Sequence, residues 1–523
     1  MITTVFTVLS FVFAAIYYAS TWKFGYWKKR KVPYLDPVPL LGNYGSFITQ
    51  RKFMGRLHQE LCQQLPNVPY FGAFYGTEPT LVVQDPQVIK TVMTKDFYYF
   101  NSREIAKYTD KELVSQNLFF TYGDRWKVLR QNLTPIFTPA KMKNMFYLID
   151  KCAHVFEGML DYEFKKNNVQ KVRPLMARFT MDCITACAFG ADVGTMGHDS
   201  KNNRFTVMGE KIFMDSYWTN IKNVFRSIWP AIFYGLRLRN FPVDVIKSFT
   251  QFMKQVFVGR DYKPTKRNDF IDLILNWKKD NYITGDTVKN MKGEEKKVKL
   301  LVDDEMLVGQ CSMFFAAGFE TSATTLHYTL YELAKNPQAQ QRVFEEIDSY
   351  LSRHNNKLEF ECITEMPFTD ACFDETLRLY PVLAVLTREV VEDYTLPCGA
   401  VIGEGVRVHI PVYHLHHNPD FFPDPEEYRP ERFYGEEKKN IKPYSYLPFG
   451  EGPRLCIGMR FAKMQMLAGL ITILKKYRVE VTQRPPKQME FSPTSFVTQP
   501  KKRIELKFLE REGWQQRQYS PIQ

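Results

Sequence analysis

Phe449-Gly-Glu-Gly-Pro-Arg-Leu-Cys-Ile-Gly458 is a glycine-rich loop with one cysteine, Cys456, directly ahead of a helical pattern running from Met459 to about Lys476. Its glycines, Gly450, Gly452 and Gly458, permit turns and close backbone approaches that a side chain would block. The helix that follows points the positive end of its dipole back at the sulfur, which favours a thiolate. Arg454 adds a nearby cation, and a bound metal would favour the thiolate further. A single thiolate held this way suits one axial bond to a large cofactor, not a four-ligand metal cage. The other cysteines are scattered and no C-x-x-C occurs, so neither a zinc site nor a disulfide framework is indicated.

Working outward, a second long pattern runs from about Asp303 to Asn336, with Pro337 just after it. Its centre, Met313-Phe-Phe-Ala-Ala-Gly-Phe319, is apolar nearly all round and is predicted to be buried. Gly318 weakens a helix and suggests a local opening. Glu320 and Thr321 place a carboxylate and a hydroxyl in that apolar interior, where polar groups need a purpose or a partner. Most of the stretch from Pro86 to Leu379 reads helical, and 280–299 reads as a solvated loop. Short strands are predicted at Tyr70–Tyr75, Thr80–Gln84, Leu386–Val391 and Val406–Tyr413. The fold class is therefore mainly α with a small β region.

At the start, Ile2 to about Trp22 carries no charged side chain and spans roughly 30 Å as a helix, one bilayer core. Lys28-Lys-Arg-Lys31 follows it, which places the rest of the chain in the cytosol. A cleaved signal peptide would normally carry a basic start and a small-residue cleavage site, and neither stands out. The organisation is read as an N-terminal transmembrane anchor (1–22), a basic, proline-rich hinge (23–45), a catalytic domain (46–510) and a polar, peripheral tail (511–523). The aromatic run Phe225–Tyr234 is a second membrane contact or core. Net charge is +13, but no basic helix interleaved with stacking aromatics appears, so nucleic acid is not expected as a partner. With 45% hydrophobic residues, the chain can enclose a flat cofactor and an apolar ligand.

The pattern F-x-x-G-x-R-x-C-x-G in the cysteine loop resembles the haem-binding loop of the cytochrome P450 family, the haem-thiolate monooxygenases. Further motifs occur in that family's order: Trp126 and Arg130 as W-x-x-x-R, Ala317-Gly-Phe-Glu-Thr321, Glu375-Thr-Leu-Arg378, and Pro430-Glu-Arg-Phe433. In detail the chain looks most like insect microsomal members that metabolise xenobiotics. The resemblance implies a helical triangular prism and haem b. Cys456 would be the axial iron ligand, and Phe449 and Ala317 would lie against the haem. Trp126, Arg130, Arg388 and Arg454 would hold its propionates, a task suited to bidentate guanidinium. Thr321 would hydrogen-bond the dioxygen being activated, and Glu320 would relay protons to it. Glu375, Arg378 and Arg432 would form a buried polar network supporting the cysteine loop. The substrate pocket would be lined by Phe119, Phe120, Phe315, Ala316, Phe319, Val382, Leu386 and Phe496.

No G-x-G-x-x-G and no flavin module is present, so electrons must come from outside. The resemblance implies a membrane-bound NADPH–cytochrome P450 reductase, with cytochrome b5 as a second candidate donor. Lys127, Lys438, Lys439, Lys442 and Lys463 are candidate docking cations. It also implies attachment to the endoplasmic reticulum, membrane lipid as a partner, and insertion of one oxygen atom from O2 into a lipophilic small molecule. Detoxification of plant toxins or insecticides is the expected role. Oxidation of an endogenous hormone or lipid, dioxygen-independent rearrangement of hydroperoxides, and a non-catalytic gas sensor remain as alternatives.

Overall fold

The computed structural model describes residues 2–213, 216–265, 269–486 and 488–521. Met1 of the anchor and the last two residues of the tail lie outside them. Helix α1 (Ile2–Thr21) is apolar, uncharged and almost wholly exposed; among the described residues it is the one helix long and apolar enough to cross a membrane. The segment after it does more than space the domain from α1. The Trp27 indole is fully buried and donates to the Ala73 carbonyl at 3.0 Å. Gly72 donates to Pro33 and accepts from Leu35. A Cβ on Gly72 would sit 2.3 Å from the indole, so glycine lets the connector lie flat against the sheet.

That sheet has the order β1-β2-β4-β3, built from β1 (Tyr70–Tyr75), β2 (Glu78–Val83), β3 (Leu386–Glu389) and β4 (Arg407–Ile410). The β1/β2 hairpin and the β3/β4 pair are antiparallel, and β2 pairs with β4 in parallel. The last strand is shorter than the sequence suggests, because Pro411 ends it and Val412–His416 turns helical. The expected loop over 280–299 is instead a hairpin, Tyr282–Asp286 with Lys297–Leu301. Ile283 and Gly285 turn inward while the lysines of the second strand face out, a period-2 pattern that the lysine-rich composition obscured.

The helical layer comprises α2 (Gly123–Leu133), α3 (Pro139–Lys166), α4 (Val172–Ile184), α5 (Asp304–Lys335), α6 (Pro367–Leu379) and α7 (Met459–Leu474). At 32 residues, α5 is about 48 Å long. Asp303 caps it, accepting from the Met306 N–H at 2.7 Å, and Asn336-Pro337 ends it. It packs along α4 and also touches α6 and α7, while α7 lies on α3. Gly318 does not open α5, which is helical throughout. A Cβ there would come 2.6 Å from Ile184 Cγ1, so the glycine lets α5 and α4 approach closely. The end of the chain is less peripheral than its polarity suggests. Arg511 pairs with Asp348 at 2.7 Å, and the buried Tyr519 hydroxyl meets Thr472 at 2.9 Å.

Candidate functional site

The Cys456 N–H donates to the Phe449 carbonyl at 2.9 Å and closes the loop. Gly450 and Gly452 have φ of 75° and 70°, and a Cβ on Gly452 would lie 2.0 Å from the Met93 carbonyl oxygen. Gly458 differs from expectation: its φ is −91° and a Cβ there meets nothing. The Cys456 side chain is accessible, yet enough protein crowds the sulfur for burial to dominate its proton affinity. Burial pushes the thiol up; the Gly458 N–H, Arg130 and Arg103 pull it part of the way back. The polypeptide alone therefore does not make a thiolate here. A cation bonded to the sulfur would have to supply the rest.

Around this sulfur the structure gathers Arg103, Arg130, Arg388 and Arg454. Arg130 donates to the Leu455 carbonyl at 2.8 Å. Arg454 donates to Asn101 at 2.7 Å and Thr121 at 2.5 Å, with its guanidinium 4.7 Å from the Trp126 ring centre. Arg103 donates to the Phe119 carbonyl at 2.7 Å. Burial lowers Arg103 to about 9, with Arg388 adding to the effect, and lowers Arg388 to about 10. Arg454 falls well below the usual range through burial and then Arg103, Arg388 and Arg130. Arg388 Nε is buried without a hydrogen-bond partner, and among the described residues no carboxylate pairs with any of the four. Buried and half-buried cations without a carboxylate partner call for an anion, and a dianionic, flat cofactor reaching to Cys456 fits them. Sequence reading found three of the four. Arg103 sits in no motif and reaches the group because the 101–105 segment is held to β3, with Ser102 bridged to Glu389.

Glu375, Arg378 and Arg432 come together in one buried polar group that extends to neighbouring segments. Arg378 grips Glu375 bidentately at 2.7 and 2.8 Å, both side chains fully buried. Arg378 also donates to the carbonyls of His416, Pro425 and Glu427 at 2.9, 2.7 and 3.0 Å. Arg432 lies 3.4 Å from Glu375, and the Arg429 N–H donates to Glu375 at 2.9 Å. The link to the cysteine loop is His416, which sequence reading missed. Leu447 N–H donates to His416 Nε2 at 2.9 Å, so the proton sits on Nδ1, which donates to the Arg378 carbonyl at 3.2 Å. Burial, with Arg378 beside it, lowers His416 to about 3, which keeps it neutral.

On α5, Ala317 is exposed and Thr321, one turn on, is half-exposed on a mostly buried helix. The Thr321 hydroxyl donates to the Ala317 carbonyl at 2.7 Å. Glu320 does not join it. Neighbouring helical residues diverge by about 100°, and the Glu320 carboxylate turns to Arg173 at 2.6 Å and Gln499 at 2.8 Å. Its second oxygen is buried without a hydrogen bond, and burial raises its carboxyl despite Arg173. The direct proton relay expected of Glu320 is thus not the geometry seen.

The pocket residues divide as well. Leu386 Cδ1 lies 3.9 Å from the place of a Cβ on Gly450, beside the loop. Val382, Val497, Phe213 and Phe449 share one apolar cluster, and Phe213 reaches Phe319 at 5.5 Å between ring centres. Ala316 is half-buried next to the open stripe. Phe315 is fully buried against Phe205, Phe249 and Phe319, which makes it core. Phe119 lies under Arg103, its ring 3.9 Å from the guanidinium, and Phe120 meets Phe241. Phe496 is 66% exposed. Of the candidate docking lysines, Lys463 is tied to Asp370 at 2.7 Å and Lys127 to the Thr287 carbonyl at 2.9 Å; Lys438, Lys439 and Lys442 are exposed, with Lys439 paired to Glu436 at 2.6 Å and Lys438 3.8 Å from Asp374.

The mainly helical fold with a small sheet, and the accessible cysteine ahead of a helix with arginines gathered around it, are what the resemblance to the haem monooxygenases implies, and comparison with known proteins agrees. Residues 32–508 match the family model described as Cytochrome P450. The chain is 34% identical to Cytochrome P450 6B2 of Helicoverpa armigera, over 96% of this chain and 98% of that protein. It is 35% identical to Cytochrome P450 6B5 of Papilio glaucus (91% and 98%) and 35% identical to Cytochrome P450 6j1 of Blattella germanica (92% of each). The chain belongs to the cytochrome P450 family.

Proposed function

We propose that this protein is a membrane-anchored haem-thiolate monooxygenase of lipophilic small molecules, fed with electrons by NADPH–cytochrome P450 reductase, and that it serves xenobiotic detoxification. The observation that carries the reading is the accessible Cys456 beside the buried Arg388 and Arg454 and the half-buried Arg103 and Arg130, none of which pairs with a carboxylate among the described residues. Haem b, when bound, supplies the oxygen-activating chemistry. Cys456 would hold its iron, Arg103, Arg130, Arg388 and Arg454 its propionates, and Trp126 would flank Arg454. Ala317 clears space on α5 for the macrocycle. Thr321 offers a hydroxyl on the same open stripe, able to turn from the Ala317 carbonyl and hold a proton near the reacting oxygen. Glu320 acts from the other face, fixing Arg173 and Gln499. Val382, Leu386 and Phe319 keep the substrate side apolar and exclude water.

The exposed, uncharged α1 followed by Lys28-Lys-Arg-Lys31 supports anchoring in the endoplasmic reticulum with the catalytic part in the cytosol. Tyr217 and Trp218, exposed at 56% and 75%, extend the membrane contact; within 225–234, Phe233 is buried as core. The reading is tested by the carbon monoxide difference spectrum of the reduced, haem-loaded protein. A strongly red-shifted Soret band in the wild type that is lost in Cys456→Ala is expected. Its absence from folded, haem-loaded wild type would refute thiolate ligation.

A further inference from the structure

We infer that a small apolar cavity between α3, the end of α4, α5 and α7 is a docking site for a small non-polar gas, with dioxygen its occupant in the working protein. The cavity measures about 30 Å³, taken as the space open to the centre of a water-sized sphere. Phe314 of α5, Phe461 of α7, Met142 and Met145 of α3, Cys187 and Ala188 are among its walls, and no polar atom contributes to its accessible lining.

Two physical facts select the ligand. A cavity holds a water once roughly 10–15 Å³ is open to it, but only if the water finds two to four polar partners. This one has the room and lacks the partners, so water gains no hydrogen bond there, whereas a neutral diatomic or a xenon atom needs none. Aromatic rings and polarisable methionine sulfur then supply dispersion on several sides.

A second feature points the same way. Helix α4 ends in a π-helical turn, Thr185–Phe189, that carries both Cys187 and Ala188. Such widened turns are frequent at functional sites. Here that turn sets a small side chain and a thiol against the cavity. Placement supplies the link to function. Phe314 lies one turn before Ala317 on the helix bearing Thr321, and Phe461 lies in the first turn of the helix that starts behind Cys456. The cavity thus adjoins both helices that border the proposed haem site, on the side of the protein core.

Naming dioxygen rests on the monooxygenase reading; the gas affinity of the cavity does not. The test uses the full-length, haem-loaded protein in detergent, with methionine methyl groups observed by NMR under xenon pressure. Saturable shifts at Met142 and Met145, with none at Met489, are expected; no saturable shift at either would overturn the site. Ala188→Leu should abolish those shifts while leaving the Soret spectrum in place. If that variant does not fold, the wild-type titration decides alone. Flash photolysis of the carbon monoxide complex then tests the occupant. Xenon should suppress the slow geminate rebinding phase in the wild type. Xenon bound at Met142 and Met145 without any change in rebinding would overturn the dioxygen assignment. Loss of the thiolate-type carbon monoxide band would instead refute the haem-thiolate reading and leave the xenon result standing.

Discussion

Replacing Glu375 and Arg378 together by apolar residues distinguishes a network from a simple ion pair. An isolated buried pair exchanged for hydrophobic residues of similar volume is often neutral or stabilising, whereas removing one partner costs about 3–5 kcal/mol. Here Arg378 also donates to three backbone carbonyls, those of His416, Pro425 and Glu427, and Glu375 accepts from the Arg429 N–H. Glu375→Leu with Arg378→Met leaves these four backbone groups without partners, at about 1 kcal/mol or more each. The double variant should therefore lose about 4 kcal/mol, a large share of the roughly 5–15 kcal/mol that holds a domain folded. Glu375→Leu alone should lose a similar amount, because it strands Arg378. Stability would be followed in detergent by the urea midpoint, read from far-ultraviolet circular dichroism, with the Soret band as a second probe. The Soret transition should precede the loss of helix in both variants, since His416 connects Arg378 to Leu447 beside the cysteine loop. A double variant within about 1 kcal/mol of the wild type would refute the network argument.

Glu389 is held near neutrality by burial, which raises its carboxyl from the usual 4.5 to about 7 against the pull of the Ile105 N–H and Arg407. The folded state therefore binds the proton more tightly than the unfolded chain. Its contribution is fully present below pH 4.5 and fades as pH rises through 7, amounting to about 3 kcal/mol. The difference in stability between wild type and Glu389→Gln should fall over that window; a flat difference would contradict it. Arg103→Ala should weaken haem retention about 10- to 150-fold, the equivalent of one charge-assisted hydrogen bond, with partial recovery in Arg103→Lys; transfer of haem to apomyoglobin measures it. Neutralising Lys438, Lys439 and Lys442 together should slow reductase-supported turnover and flatten its salt dependence, while turnover driven by added peroxide stays unchanged. Equal losses in both assays would place those lysines in folding instead of docking.

Much of this protein was legible in one dimension because the relevant information is local. The cysteine loop, the W-x-x-x-R pair, the i,i+3 pairing of Glu375 with Arg378 and the caps of α5 all lie within a few residues of one another, where backbone geometry fixes their relations. The uncharged N-terminal helix is equally a matter of length and composition. What only tertiary structure decided arises from which face each side chain takes and which distant segment meets it. Thr321 and Glu320 are sequence neighbours, yet the helix turns one to the open stripe and the other to Arg173 and Gln499. Arg103 joins Arg388 and Arg454 from segments hundreds of residues apart, and no local pattern marks it. His416 is one of several histidines in its run and becomes a strut only because Arg378 and Leu447 arrive on its two sides. Gly318 looked like a weak point in a helix and proved to be a contact surface, since its missing Cβ is where Ile184 packs. Sequence sets which groups are present and their spacing along the chain; folding sets which of them lose water together, and that shared burial gives this site its charge and its shape.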